Sequence, residues 1–146
     1  MAVGTVSSIN YDDWQLIATT ALSGTSVTFN NFSGYKTLWL VGNAIKNSST
    51  YVIIRPNNDT SASSYATSYT AGEYYLSDNT TGAVSFKIYD CDRAIPHKVE
   101  FFTNLSTGCN PGDAYTAPNV ITSIVVTTQT GATFTGGTIR LYGIAS

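Results

Sequence analysis

The stretch that decides the fold is GGTIRLYGIAS, Gly136–Ser146. Taken at every second position it gives Thr138, Arg140, Tyr142 and Ile144 on one side, and Ile139, Leu141 and Gly143 on the other. A period of two is the signature of a β-strand. This strand runs to within two residues of the carboxyl terminus.

The same reading extends upstream. Trp14–Leu22 (WQLIATTAL) places Trp14, Leu16 and Ala18 on one side. SVTF follows at Ser26, and NNFSGY reads as a turn in which Gly34 is free to take a positive φ. KTLWLVGNAI (Lys36–Ile45) is apolar on both faces in its middle, as a central, well-covered strand would be. TYVIIR, AVSFKIYD (Ala83–Asp90), HKVEFFTNL (His97–Leu105) and VITSIVVTT (Val120–Thr128) add four more. About eight strands, with Gly, Pro and Asn between them and no sustained helical period, predict an all-β antiparallel sandwich, jelly-roll-like. The expected core contains Trp39, Leu40, Ile53, Phe86, Ile88, Val99, Phe101, Ile124, Val126 and Leu141. Residues 1–13 lie outside the pattern and read as an N-terminal arm; 14–146 reads as the sandwich domain.

Composition narrows the function. Charged residues are 11% of the 146, and the net charge is −2. In their place stand 22 Thr, 16 Ser and 11 Asn, residues that suit pleated strands and turns better than helices. The seven Lys and Arg are scattered singly, so no cationic patch exists to displace counterions from nucleic acid. No apolar run approaches the roughly 20 residues of a membrane span, and no basic region precedes an apolar stretch as in a signal peptide.

No catalytic constellation stands out. The one histidine, His97, has no nucleophile elbow to serve and reads as a turn residue. The pairs Asp12/Asp13, Asp90/Asp92 and Glu73/Asp78 are what nine acids produce by chance, and Asp90 and Asp92 read as caps of a turn. NNDTS (Asn57–Ser61) is better matched to an Asx-turn than to a calcium loop. No cofactor or metal is expected. Cys91 and Cys109 would sit at opposite ends of a hairpin, separated by roughly 26 Å, beyond the reach of a disulfide. Free thiols are expected.

Pro56–Gly82 shows little strand pattern except around Glu73–Leu76, and it carries Tyr65, Tyr69, Tyr74 and Tyr75. Tyrosines on such a loop either pack onto a sheet or form a contact surface. Together with Val3, Val6, Ile9 and Tyr11 of the arm, they are the candidate interface residues.

Six ordered stretches carry a resemblance: SVTF at Ser26, YKTLWL at Tyr35, IRPNND at Ile54, FKIYDCD at Phe86, ITSI at Ile121 and IRLYGI at Ile139. In this order and spacing they resemble a family of small β-sandwich virion modules of tailed bacteriophages that close on L-Y-G-I. The chain departs from that pattern at Pro56 and in SASSY. The resemblance implies a virion component assembled in the host bacterial cytoplasm. With no shaft, coiled coil or collagen-like stem in sight, the expectation is a non-enzymatic capsid decoration or cement protein, a homotrimer bound to the major capsid protein. The alternative is a tail or tail-fibre module that recognises host surface glycan. A third reading, outside virions, is a carbohydrate-binding domain. Neither nucleic acid nor membrane is an expected partner.

Overall fold

A computed structural model describes residues 14–47, 51–65, 74–77, 82–103 and 110–146. Within them the chain forms ten strands: β1 (Gln15–Ala21), β2 (Ser26–Phe29), β3 (Tyr35–Asn47), β4 (Val52–Pro56), β5 (Tyr74–Ser77), β6 (Gly82–Tyr89), β7 (His97–Thr103), β8 (Asn110–Tyr115), β9 (Ile124–Thr128) and β10 (Phe134–Ala145). A single 3-10 turn, Ala62–Ser64, lies between β4 and β5. The strands make two sheets, ordered β1-β10-β3-β6-β7-β8 and β2-β9-β4-β5. Each pairing is antiparallel.

The chain alternates between sheets through β1, β2, β3 and β4, and returns in the same manner through β5, β6, β9 and β10. Two four-stranded sheets wound this way constitute a jelly roll. The hairpin β7–β8 is added to the edge beyond β6 and widens one sheet to six strands. The all-β sandwich expected from the sequence is therefore the observed fold, with ten strands rather than about eight.

Alternation sets the core. Cross-strand rows on the inner side of the large sheet run Ala18, Leu141, Leu40, Phe86, Phe101 and Gly143, Leu38, Ile88, Val99. Apart from Ala18, which is partly buried, they are buried, Leu40, Phe86, Ile88, Val99 and Leu141 completely. Val52, Ile54, Ile124 and Val126 meet them from the small sheet. Two expectations need correction, and a third, Ile53, is met on an unexpected side. Trp39 is only half-buried and faces outward, because its neighbours Leu38 and Leu40 take the core side. Ile53 is fully buried, but it pairs with Thr127 on the side of the small sheet opposite Ile54. In β1 a register shift between Leu16 and Ala18 puts them on opposite sides, so Leu16 is 56% exposed while Ile17 and Ala18 pack against the core.

Gly143 explains that bulge. Its position in β10 points into the core, and a Cβ there would collide with the Tyr35 ring and the Ile17 side chain. The bulged Ile17 and the aromatic Tyr35 fill the space that the glycine leaves.

Replacing Gly143 with Ala should therefore overpack this corner and cost about 1–3 kcal/mol. Chemical denaturation measures it; an unchanged midpoint would show that Tyr35 and Ile17 do not occupy the space.

Candidate functional site

Two places gather the side chains with chemical potential: a polar knot between loops, and the outer face of the six-stranded sheet.

The knot forms where the turn after β4, the turn after β6, the start of β7 and the segment before β9 converge. Asn57 and Asn58 adopt left-handed conformations, with φ of 51° and 53°, which Asn tolerates better than other non-glycine residues. That turn aims the Asn57 amide at the segment leading into β9. Its Oδ1 accepts from Thr122 N at 2.9 Å and Ser123 N at 3.2 Å, and its Nδ2 donates to Val120 O at 2.9 Å. Asp59 makes the expected Asx-turn, its Oδ1 accepting from Ser61 N at 2.8 Å. Its Oδ2 accepts from the Tyr115 hydroxyl at 2.9 Å. Burial would raise the Asp59 pKa, but hydrogen bonds from Ser64, Ser61 and Tyr115 outweigh it and hold the group below its usual value. Burial, reinforced by Asp59, pushes the Tyr115 phenol up in turn.

His97 is not a turn residue. It opens β7, is 1% exposed, and stacks on Tyr115 with ring centroids 5.9 Å apart. Its Nδ1 lies 3.0 Å from Tyr89 O and its Nε2 2.7 Å from Asn119 O. Both neighbours are carbonyl acceptors, so the nitrogen that carries the proton donates to one of them, and the ring sits between the end of β6 and the segment before β9. Cys91 does similar work. It is buried and free, its Sγ donates to Ile88 O at 3.2 Å, and burial pushes the thiol up to about 12. Its backbone N–H donates to Lys36 O, and its carbonyl accepts from Ile121 N. Cys109 lies outside the described residues. The Asp90 backbone carbonyl accepts from Arg93 N in a turn, and the Asp92 carboxylate accepts from the Ser146 hydroxyl at 2.7 Å. Of these groups, the His97 ring and the Cys91 thiol lie against backbone carbonyls.

The tyrosine candidates separate. Tyr65 is 4% exposed, belongs to the core cluster, packs edge-on against Tyr115 and donates its hydroxyl to Asp59 O at 2.7 Å. It is a packing residue, not part of a surface. Tyr74 and Tyr75 lie in β5, paired with Ile54 and Ile53. Tyr69 and the arm residues Val3, Val6, Ile9 and Tyr11 lie outside the described residues.

The outer face of the large sheet was not singled out by the sequence. One cross-strand row there reads Leu16, Tyr142, Trp39, Lys87, Glu100, and the next reads Thr19, Arg140, Val41, Ser85, Phe102. Trp39 packs between Trp14, at 5.3 Å between ring centroids, and Tyr142, at 5.7 Å. Lys87 Nζ lies 4.9 Å from the Trp39 ring and 5.7 Å from the Trp14 ring, within cation–π range. The Trp39 indole N–H donates to Ser85 Oγ at 2.7 Å. Tyr89 donates to Glu100 at 2.8 Å, and Lys98 pairs with the same carboxylate at 3.1 Å. Burial, with help from Glu100, pushes the Tyr89 phenol up to about 12. Beside this cluster lies an open depression of about 410 Å³ lined by Val41, Gly42, Asn43, Ala83, Val84, Ser85 and Phe102. The signal for this face was present: outward strand positions at Trp39, Tyr142 and Phe102 carry aromatics.

A carboxylate whose folded pKa is depressed adds stability above its unfolded pKa, near 3.8 here, and that contribution is lost as pH falls through the folded value. The gap in denaturation midpoint between the native chain and Asp59→Asn should therefore be constant above about pH 5 and narrow as the pH falls through 3.8 and below. A gap independent of pH would show that the Asp59 charge does not hold the knot.

No family model matches the sequence, and no curated protein is similar to it. Among solved structures, the exo-inulinase from Aspergillus awamori is similar over 90% of this chain, with a TM-score of 0.51 and 17% sequence identity. The match spans 30% of the inulinase chain, so this chain corresponds to less than a third of that enzyme's length. At this identity the likeness is one of fold.

Proposed function

We propose that the chain is a non-enzymatic structural module of a bacteriophage virion, a capsid decoration protein that binds the major capsid protein as a homotrimer. The observation that carries this reading is the placement of the six ordered stretches. SVTF is β2, YKTLWL opens β3, and IRPNND closes β4 and forms its turn. FKIYDCD ends β6 and includes Cys91, ITSI leads into β9, and IRLYGI is the body of β10. Asn57 from the third stretch and Cys91 from the fourth both bond to the fifth. The stretches that carry the resemblance are thus parts of one bonded framework, which supports reading them together. The engagement of His97, Asp59 and Cys91 in backbone bonds supports a role without chemistry.

Assembly by such a module would rely on hydrogen bonds, edge pairing and tyrosine packing. Seven cations and nine acids in 146 residues leave little for ion pairing. The arm, with TVSSINY as a candidate added strand, is the element proposed to reach the neighbouring subunit.

Mass-spectrometric counting in purified particles tests the assignment. Hundreds of copies per particle are expected of a head protein; a handful would move it to the tail, and none would overturn the virion reading. Particle attachment should vary little with salt between about 0.05 and 0.5 M, over which screening shortens from about 14 to about 4 Å. Deleting residues 2–13 should abolish attachment while the sandwich folds. Attachment that falls steeply with salt, or survives the deletion, would contradict the arm-mediated interface.

A further inference from the structure

We propose that the outer face of the six-stranded sheet is a binding site for an acidic polysaccharide. Trp14, Trp39 and Tyr142 would stack on sugar rings, with Lys87 and Arg140 facing its carboxylates. The inference does not depend on whether the chain sits on a head, a tail or no virion at all.

A sugar ring offers a C–H face and a rim of hydroxyl groups. Its complement is a fixed aromatic surface bordered by polar side chains. The Trp39–Tyr142–Trp14 cluster provides that surface. Trp39 is held in orientation by its bond to Ser85 and by rings on both sides, so little ordering remains to be done on binding. The depression beside it continues the surface over Val41, Ser85 and the 47% exposed Phe102. It is open rather than enclosed, so it would take a ligand lying along the sheet.

Charge selects the kind of sugar. The whole chain carries −2. Among the described residues, the outward side chains on this face include Lys87 and Arg140 in these rows and Lys98 beside them in β7, against the single carboxylate of Glu100. Three cations less one acid leaves +2 on this face. Lys98 is paired with Glu100, which leaves Lys87 beside the indoles and Arg140 one row away. The same charge disfavours a second copy of the chain as occupant, since a two-fold contact would set this face against itself.

The chain has two tryptophans, and both are in the cluster, so intrinsic fluorescence reports on this face alone. The test titrates the purified chain with polygalacturonate and with neutral dextran while following tryptophan emission. Polygalacturonate should shift the emission saturably, with affinity at least about tenfold above dextran and falling with salt. Trp14→Ala and Lys87→Gln should each weaken it by about tenfold, with an unchanged circular dichroism spectrum. Silence toward polygalacturonate, an equal response to dextran, or unchanged affinity in the variants would overturn the proposal. So would sedimentation showing that the native chain is a dimer and Trp14→Ala a monomer, because the face would then be a subunit interface. None of these results bears on particle counting, so the two readings fail separately.

Discussion

The structure depends on β10 being paired on both sides. Its residues bond to β1 along one edge and to β3 along the other, from Thr138 to Gly143 on both. Because side chains alternate, one strand supplies the core through Ile139 and Leu141 and the outer face through Arg140 and Tyr142. A slip of one residue would exchange the two sets and put Arg140 into the core. Register is pinned at Gly143, where the Tyr35 ring and the bulged Ile17 leave no room for a side chain. It is pinned again beyond the strand, where Ser146 N donates to Gly34 O and the Ser146 hydroxyl bonds to Asp92.

With that sheet fixed, the loops at the polar knot have a frame to bond to. Asn57, His97 and Cys91 are distant in sequence, yet each ends on the carbonyls or amides of the segment before β9. Buried backbone groups must find partners, and here the Asn57 amide, the His97 ring and the Cys91 backbone carbonyl do what a ladder would do in a strand. Trp39, Tyr142 and Phe102 sit instead at outward strand positions, on surfaces that these bonds do not use. The outer face of the large sheet is the best-defined of those surfaces. Its aromatics are supported by cross-strand neighbours and not by a mobile loop.

Much of this was legible in the sequence, for a physical reason. Strands such as Ala83–Asp90 and Thr138–Ile144 alternate cleanly, and alternation is enough to call a sandwich and most of its core. What was missed has causes as well. KTLWLV looks doubly covered, but its second apolar set, Trp39 and Val41, belongs to the outer cluster. Periodicity cannot distinguish a buried face from an exposed aromatic one. The β1 bulge at Ile17 is set by a glycine more than 120 residues away, beyond any local pattern. His97 follows Pro96 and looks like a turn residue; only the fold shows two carbonyls closing on its ring. Tyr65 was one tyrosine among four in an irregular stretch, and its burial comes from Tyr115 and Asp59, which local sequence does not pair with it.

Native-state hydrogen exchange tests the dependence on β10 most directly. If the doubly paired strand holds the sandwich together, the amides of Ile139–Gly143 should exchange only by global unfolding, at the same free energy as those of Leu38–Leu40 in β3. Gly143→Ala should then lower both sets by the same amount. Exchange from β10 by local fraying, well below the protection of β3, would contradict the account. The large sheet would then stand on β3 and β6 without it.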